Sequence, residues 1–209
     1  MASRAQQAEQ TRARILETAR ALFAERGFYG VSTGQVSAAL GMSKQGVLHY
    51  FSTKERLYGE VLRMVSTELE AALPDLGKPT QDSKRALIDT FVSMIPNNAK
   101  AIERTRLLVR ELLDNRIRAS ESGVWYLSNF LARLVEMLRA CEGWEEVAEA
   151  EAQTTIFQWL GAIEYSTISR PTLRGIYGEK GSANFWQVFA QRLERLIVAD
   201  LASGATTRR

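Results

Sequence analysis

Apolar residues recur at intervals of three and four along most of this chain, which is the spacing of an amphipathic helix. Prolines stand only at positions 74, 79, 96 and 171, so long segments lack this helix breaker. No strand-like alternation of apolar and polar residues is evident. We therefore predict an all-α fold. Beyond a loop at 74–80, helices are predicted at about 82–95, 98–118, 123–141, 145–169 and 183–202, with a loop from Arg170 to Ser182.

The first helix is predicted to run from Thr11, a possible cap, to Arg26. Gly27 follows as a residue that adopts the left-handed conformation without steric strain and so ends the helix. Phe28 is expected to fold back onto Phe23, because an apolar contact commonly accompanies such an ending.

Two short helices with well-marked ends are predicted next. Ser32 and Gln35 have the spacing of a capping box, which starts the second helix, and Gly41 offers a left-handed stop. Ser43 is a ready cap for a third helix. The turn between the two helices is therefore Gly41-Met42-Ser43.

A longer fourth helix is predicted to begin where Ser52 and Glu55 form another capping box. It should continue through about Leu73. The third helix, between Ser43 and Ser52, must consequently be short.

Two short helices joined by a glycine-containing turn are the arrangement that places the second helix in the major groove of DNA. On the third helix Lys44, Gln45, Leu48 and His49 share one face. Lysine suits guanine edges, glutamine suits adenine, and leucine suits the thymine methyl group. Tyr50 and Lys54 are expected to contact phosphates, aided by the partial positive charge at the start of the fourth helix.

The same segment carries a set of anchored spacings. They are Ile15-Leu16-x-x-Ala19-x-x-Leu22-Phe23, Gly27-Phe28, Val36-x-x-x-Leu40-Gly41-Met42-Ser43 and Leu48-His49-Tyr50-Phe51-x-x-Lys54-x-x-Leu57. Over about residues 10–60 they resemble the tetracycline-repressor-like (TetR) regulators. The resemblance implies a three-helix DNA-binding head, joined through a long fourth helix to a larger helical domain that binds an effector and dimerises. It also implies DNA contacts from Thr33, Lys44, Tyr50 and Lys54.

The predicted domains are thus a helix-turn-helix domain at 10–56, an effector-binding and dimerisation domain at 57–202, and a flexible tail at 203–209. The predicted DNA-binding residues are Ser32, Thr33, Ser43, Lys44, Gln45, Gly46, Leu48, His49, Tyr50 and Lys54.

Three positions depart from the pattern that the resemblance implies. Gly34 and Gly46 stand at outward positions where family members often carry a contacting side chain, and Leu48 replaces a more usual tyrosine. Recognition is therefore expected to depend more than usual on Lys44, Gln45 and His49.

Charge supports a nucleic-acid partner through its distribution. The formal net charge is only +3, but residues 1–65 contain nine Lys or Arg against five Glu, so the basic excess lies in the first third. A plain helical bundle and a helix-turn-helix used for protein contact remain the alternatives for this segment.

Candidate catalytic and metal chemistry is sparse. The one histidine, His49, lies on the third helix, and the one cysteine, Cys141, has no disulfide partner in the chain. We therefore expect neither an enzyme nor a cofactor, and no metal site. The acidic run from Glu142 to Glu151 is interpreted as a solvated helix start rather than a hard-metal site. With no apolar signal segment and no membrane span, we expect a cytoplasmic protein.

Aromatic residues with polar tips suit a mainly apolar ligand pocket between helices. Ordinary core packing is the alternative for each of them, and surface or interhelical pairing is the alternative for the arginine. The candidate effector-binding residues are Arg110, Trp125, Tyr126, Phe130, Trp159 and Tyr165.

The last two helices are too apolar for simple surface helices. In the resembling family these helices pack against their copies, and two heads related by a twofold axis would read a palindromic operator. Packing within one chain is the alternative. The candidate dimer residues are Ile156, Leu160, Ile163, Trp186, Phe189, Leu193, Leu196 and Ile197. The resulting hypothesis is a homodimeric repressor that a small, mainly apolar effector releases from double-stranded DNA, without any membrane partner.

Overall fold

The computed structural model describes residues 3–74, 83–114 and 126–206. Regular structure in these ranges is helical, which confirms the all-α class. The helices are α1 Arg4–Arg26, α2 Thr33–Leu40, α3 Lys44–Tyr50, α4 Lys54–Ala71, α5 Ser83–Ser93, α6 Ala99–Asp114, α7 Ser128–Arg139, α8 Glu149–Ile168 and α9 Arg170–Ser203.

The chain forms two compact units. The first comprises Met1–Glu68 and Ala99–Tyr126, and the second comprises Leu69–Asn98 and Leu127–Arg209. Helix α6 thus belongs with α1 to α3 and most of α4. The predicted functional boundary at residue 56 remains a prediction.

The first unit has an aromatic and aliphatic core at the meeting point of α1 to α4. The Phe23 ring packs edge-on against Tyr58, with centroids 4.8 Å apart, and stacks on Phe28 at 6.4 Å, as the helix ending predicted. Removing such side chains from water is the main term that holds a small helical unit together. The residues that complete this core include Ile15, Val36, Val47, Leu57 and Val61.

Helix α1 begins earlier than predicted. Ser3 forms a capping box with Gln6, whereas Thr11 lies inside the helix and donates its hydroxyl proton to the carbonyl of Gln7. Residues 4–10 are exposed and mostly polar, so the apolar periodicity gave no sign that the helix extends over them. Gly27 has the expected positive φ of 72°, but its ψ of 173° lies outside the left-handed helical region.

The ends of α2 and α3 follow the prediction. Ser32 and Gln35 form the capping box, and Gly41 adopts the left-handed conformation with φ 65° and ψ 27°. The Ser43 hydroxyl accepts the Gly46 N–H at 3.0 Å. The start of α4 was predicted wrongly, because Thr53 and not Ser52 accepts the N–H three residues on, from Arg56.

The second unit is built around Trp159 on α8, which is fully buried. Its ring meets Phe91 of α5 edge-on at 5.1 Å, and its indole N–H donates to Asp200 Oδ2 on α9 at 2.8 Å. This bond satisfies the polar atom of a buried tryptophan. The core residues around it include Leu87, Leu134, Leu138, Ile156 and Ile197.

The predicted loop from Arg170 to Ser182 is wrong, because α9 already begins at Arg170. Pro171 stands in its first turn, where a proline is favourable. The helical conformation is interrupted only at Gly178, with φ 69° and ψ −179°. No helix in the described parts of the chain combines the length and apolar character that a membrane span requires.

Candidate DNA-binding site

Helix α3 has an inward and an outward face, as its sequence predicted. Val47 is 0% exposed and Phe51 3% exposed, so both are anchored in the core of the first unit. Lys44, Gln45 and His49 are exposed, and Leu48 is half-buried at the edge of the outward face. The helix therefore presents an ammonium, an amide and an imidazole on a rigid support.

The turn before α3 explains one of the unusual glycines. A Cβ at Gly46 would lie 3.3 Å from Ser43 Oγ and 3.4 Å from Met42 Cε, closer than most side chains tolerate. Gly46 is thus suited to a tight cap. A Cβ at Gly34 would meet only Ser32 Oγ, at 3.7 Å, so space is available there.

Ser32 and Ser43 are both exposed, and both are engaged as helix caps. Thr33, the first residue of α2, is half-buried. The Ser43 hydroxyl accepts the Gly46 N–H and can donate its own proton to DNA. The Ser32 hydroxyl accepts the Gln35 N–H and also donates to Gln35 Oε1 at 3.1 Å.

Lys54 connects the start of α4 to the turn after α1. Its ammonium donates to the Phe28 carbonyl at 3.1 Å and lies 4.1 Å from the centre of the Phe28 ring. A lysine has three N–H donors, so a phosphate contact is compatible with this position. Tyr50 is half-buried, and its ring meets that of His49 edge-on at 5.5 Å.

A polar network that was not predicted from the sequence holds α1 against α4 and α6. The Arg20 guanidinium is buried and binds Glu17 at 2.6 Å, Glu103 at 2.9 Å and Glu68 at 3.4 Å. Neighbouring Arg104 has its pKa lowered by burial. The signal was the charge of Arg20 one residue after Ala19, within the buried face of α1.

Residues 15–61 match the model of the family described as bacterial regulatory proteins, tetR family. The chain therefore carries the DNA-binding segment that this family model describes. The repressor NicS of Pseudomonas putida is 29% identical over 119 residues, covering 57% of this chain and 56% of NicS. The regulator PksA of Bacillus subtilis is 26% identical over 45% of this chain and 46% of PksA. The chain thus spans about half the length of these curated relatives, whose names describe regulators and not enzymes.

Solved structures of two regulators share the fold of this chain over nearly its whole length. The ketosteroid regulator KstR2 of Mycobacterium tuberculosis matches with a TM-score of 0.65 and 20% identity, covering 90% of this chain and 94% of KstR2. A regulator from Saccharomonospora viridis, solved in complex with choline, matches with a TM-score of 0.63 and 17% identity, covering 92% of this chain and 97% of that regulator.

The candidate effector-binding residues fall in both units of the chain. Arg110 donates to the carbonyls of Ala24 and Glu25 at 3.0 and 2.7 Å, so it caps the end of α1 in the first unit. Tyr126 also belongs to that unit, and Trp125 lies outside the described residues. In the second unit Phe130 and Trp159 are buried, whereas Tyr165 is 74% exposed.

The candidate dimer residues differ in how exposed they are. Four of them are buried in the core of their own chain: Ile156, Ile163, Leu193 and Ile197. Leu160, Trp186 and Phe189 are half-buried, and Leu196 is exposed. Both helices carry further apolar residues on their outer faces. The exposed ones are Phe157, Tyr165, Ile168, Ile176, Tyr177, Val188, Leu196 and Val198.

Proposed function

We propose that this chain is a TetR-family, sequence-specific DNA-binding transcriptional regulator that represses from a palindromic operator. The observation that carries the proposal is the outward face of α3, where Lys44, Gln45 and His49 project from a helix fixed by buried Val47 and Phe51. An exposed short helix with these side chains suits direct reading of base edges in the major groove.

The proposal is tested by titrating duplex DNA at several salt concentrations, with two variants. Binding to about eight phosphates gives a log–log salt slope of roughly −7. Lys54→Ala should weaken all duplexes alike and reduce the slope by about one per subunit, whereas Gln45→Ala should change the preference at particular base pairs. Duplex binding that does not vary with salt would contradict the proposal.

We infer that the operator is bound by a homodimer formed through the outer faces of α8 and α9. Phe157, Tyr165 and Ile168 lie along α8 at helical spacing, and Leu196 and Val198 lie on α9. A helix that is apolar on both its inner and outer faces is typical of a buried element, and a second copy would supply the missing cover. In the proposed interface these exposed residues take the place of four residues that are buried within the chain: Ile156, Ile163, Leu193 and Ile197.

The dimer is tested by placing a carboxylate on this face. Phe157→Glu should shift the chain from dimer to monomer in sedimentation experiments and weaken operator binding. Leu113→Glu makes the same change at an exposed leucine of α6 in the first unit and serves as the control. A monomeric wild type, or an unchanged dimer in Phe157→Glu, would contradict the assignment.

We further infer that a small, mainly apolar effector bound in the second unit releases the DNA. Support comes from the fold shared with the choline-bound regulator of Saccharomonospora viridis. Helix α4 contributes residues to both units, so it is the element through which an effector would act on the head. The effector must bind the two states with different affinity, because only that difference shifts an equilibrium. A compound that raises the melting temperature should also weaken operator binding.

A further inference from the structure

A polar cleft lies beside the recognition helix within the first unit. It is bounded by α1, by the end of α3, by α4 and by Tyr126, and its volume is about 620 Å³. Three guanidinium groups line it, from Arg12, Arg56 and Arg63, together with two carboxylates, from Glu55 and Glu60.

Two of the three arginines share one carboxylate. Arg12 Nη2 donates to Glu60 Oε2 at 2.6 Å, and Arg63 binds the other oxygen of the same carboxylate. Each guanidinium has five N–H donors, so most of the donors on both arginines are unassigned among the described residues. The carboxylate of Glu60 thus occupies only part of the donor capacity of Arg12 and Arg63 and competes with any other anion for them.

The third arginine that lines the cleft is Arg56. Arg56 is exposed, and in the described ranges no carboxylate lies within ion-pair distance of its guanidinium. It lies in the first turn of α4, where the helix dipole also favours an anion, although Glu55 in the same turn offsets part of this effect.

Aromatic rings hold the arginines in place. The guanidinium carbon of Arg12 lies 5.4 Å from the Phe51 ring centre, and that of Arg63 lies 5.8 Å from the Tyr126 ring centre. Tyr126 approaches α4 at Gly59, where a Cβ would lie 2.5 Å from the tyrosine oxygen. A glycine inside a helix is less favourable than alanine, and here it makes room for this wall of the cleft.

We propose that this cleft is a phosphate-binding site that extends the DNA contact beyond the helix-turn-helix, with Arg56 and Arg12 as the main ligands of a backbone phosphate. The proposal rests on the proposed function, because His49, which is exposed on the outward face of α3, also lines the cleft. A strand that contacts His49 therefore passes the mouth of the cleft. Its phosphates are acceptors for the unassigned N–H donors, and guanidinium groups match their geometry.

The Glu60→Gln variant distinguishes a cleft that binds phosphate from one that only stabilises the fold. If the cleft only stabilises the fold, Glu60→Gln should leave DNA binding unchanged or weaken it through lost ion pairs. If the cleft binds phosphate, the same change removes a competing negative charge and tightens binding.

The experiment measures the affinity of the full-length chain for a duplex of unrelated sequence across salt concentrations, with melting temperatures recorded for each variant. Arg56→Gln should weaken binding and lower the magnitude of the slope by about 0.9 per protomer. Glu60→Gln should bind more tightly than wild type. Arg14→Gln is the matched control, because it removes the same charge from an exposed position of α1 that does not line the cleft. Equal slopes for Arg56→Gln and Arg14→Gln, or weaker binding by Glu60→Gln, would overturn the proposal.

A second measurement separates a DNA phosphate from a small phosphorylated molecule. His49 is the one histidine, so its imidazole NMR signals report on the cleft without overlap. Duplex DNA should shift these signals, and inorganic phosphate at equal ionic strength should not. A phosphate-induced shift that Arg56→Gln abolishes, with an unchanged duplex slope, would assign the cleft to a small molecule and overturn the DNA assignment. Wild-type binding with no salt dependence would instead refute the proposed function itself.

Discussion

Replacing Arg20 by alanine should destabilise the first unit substantially. The Arg20 side chain is 5% exposed and binds three carboxylates, on α1, α4 and α6. Removing one partner of a buried ion pair costs about 3 to 5 kcal/mol, because the remaining charges are left uncompensated. Here the carboxylates are 28–45% exposed and keep part of their hydration, and Lys100 still binds Glu17 at 3.3 Å and Glu68 at 3.6 Å. Both effects reduce the expected loss to about 2 to 3 kcal/mol.

For a chain of this length that loss corresponds to a fall in melting temperature of about 4 to 12 °C. Circular dichroism during heating measures it. Added salt should reduce the difference, since it screens the repulsion among the carboxylates in the variant. Arg14→Ala, at an exposed position of the same helix, is the control. An Arg20→Ala variant with the same melting temperature as Arg14→Ala would refute the structural role of the network.

Three further predictions concern the second unit. Burial raises the pKa of the Cys141 thiol to about 11, so iodoacetamide at about pH 8 should alkylate the unfolded chain far faster than the folded one; rapid native labelling would contradict this. Burial also raises the pKa of Glu164 above its ordinary value of 4.5, so wild-type stability should fall as pH rises through the raised pKa. Glu164→Gln should therefore gain melting temperature relative to wild type between about pH 4 and pH 8, and a parallel pH profile would count against the shift. Ile163→Ala should cost about 2 to 5 kcal/mol in chemical denaturation if Ile163 is a core residue, whereas a loss below 1 kcal/mol would indicate an accessible position.

The helix-turn-helix could be predicted because its signals are local. Ser32 with Gln35, and Gly41 before Ser43, each specify a helix end through hydrogen bonds that span a few residues. Local signals also failed where two neighbours competed for one role. Ser52 and Thr53 are both suitable caps, and only the structure shows that Thr53 takes the position.

The proposed dimer face could not be predicted from the sequence, because α8 and α9 are apolar on more than one side. Ile163 and Tyr165 both fit an apolar stripe, yet one is buried and the other is exposed. The difference depends on which neighbouring helix covers each face, and that is tertiary information. The cleft beside α3 was missed for the same reason, since Arg12 and Glu60 are far apart in sequence.

Helix α9 begins at Arg170, within a segment that was predicted to be a loop. Three glycines at 175, 178 and 181 suggested a loop, but only Gly178 leaves the helical conformation. A glycine lowers helix propensity without forbidding a helix, and packing of the surrounding turns decides the outcome.

Selection of bound sequences from random duplex DNA tests whether α3 is the helix that reads DNA. We expect enrichment of an inverted repeat whose half-sites lie about 10 base pairs apart, or a multiple of that distance, because two α3 helices related by a twofold axis read successive major grooves. Gln45→Ala should change the enriched bases within each half-site. Recovery of no preferred sequence, or of the same sequence by wild type and Gln45→Ala, would contradict the assignment of α3 as the helix that reads DNA.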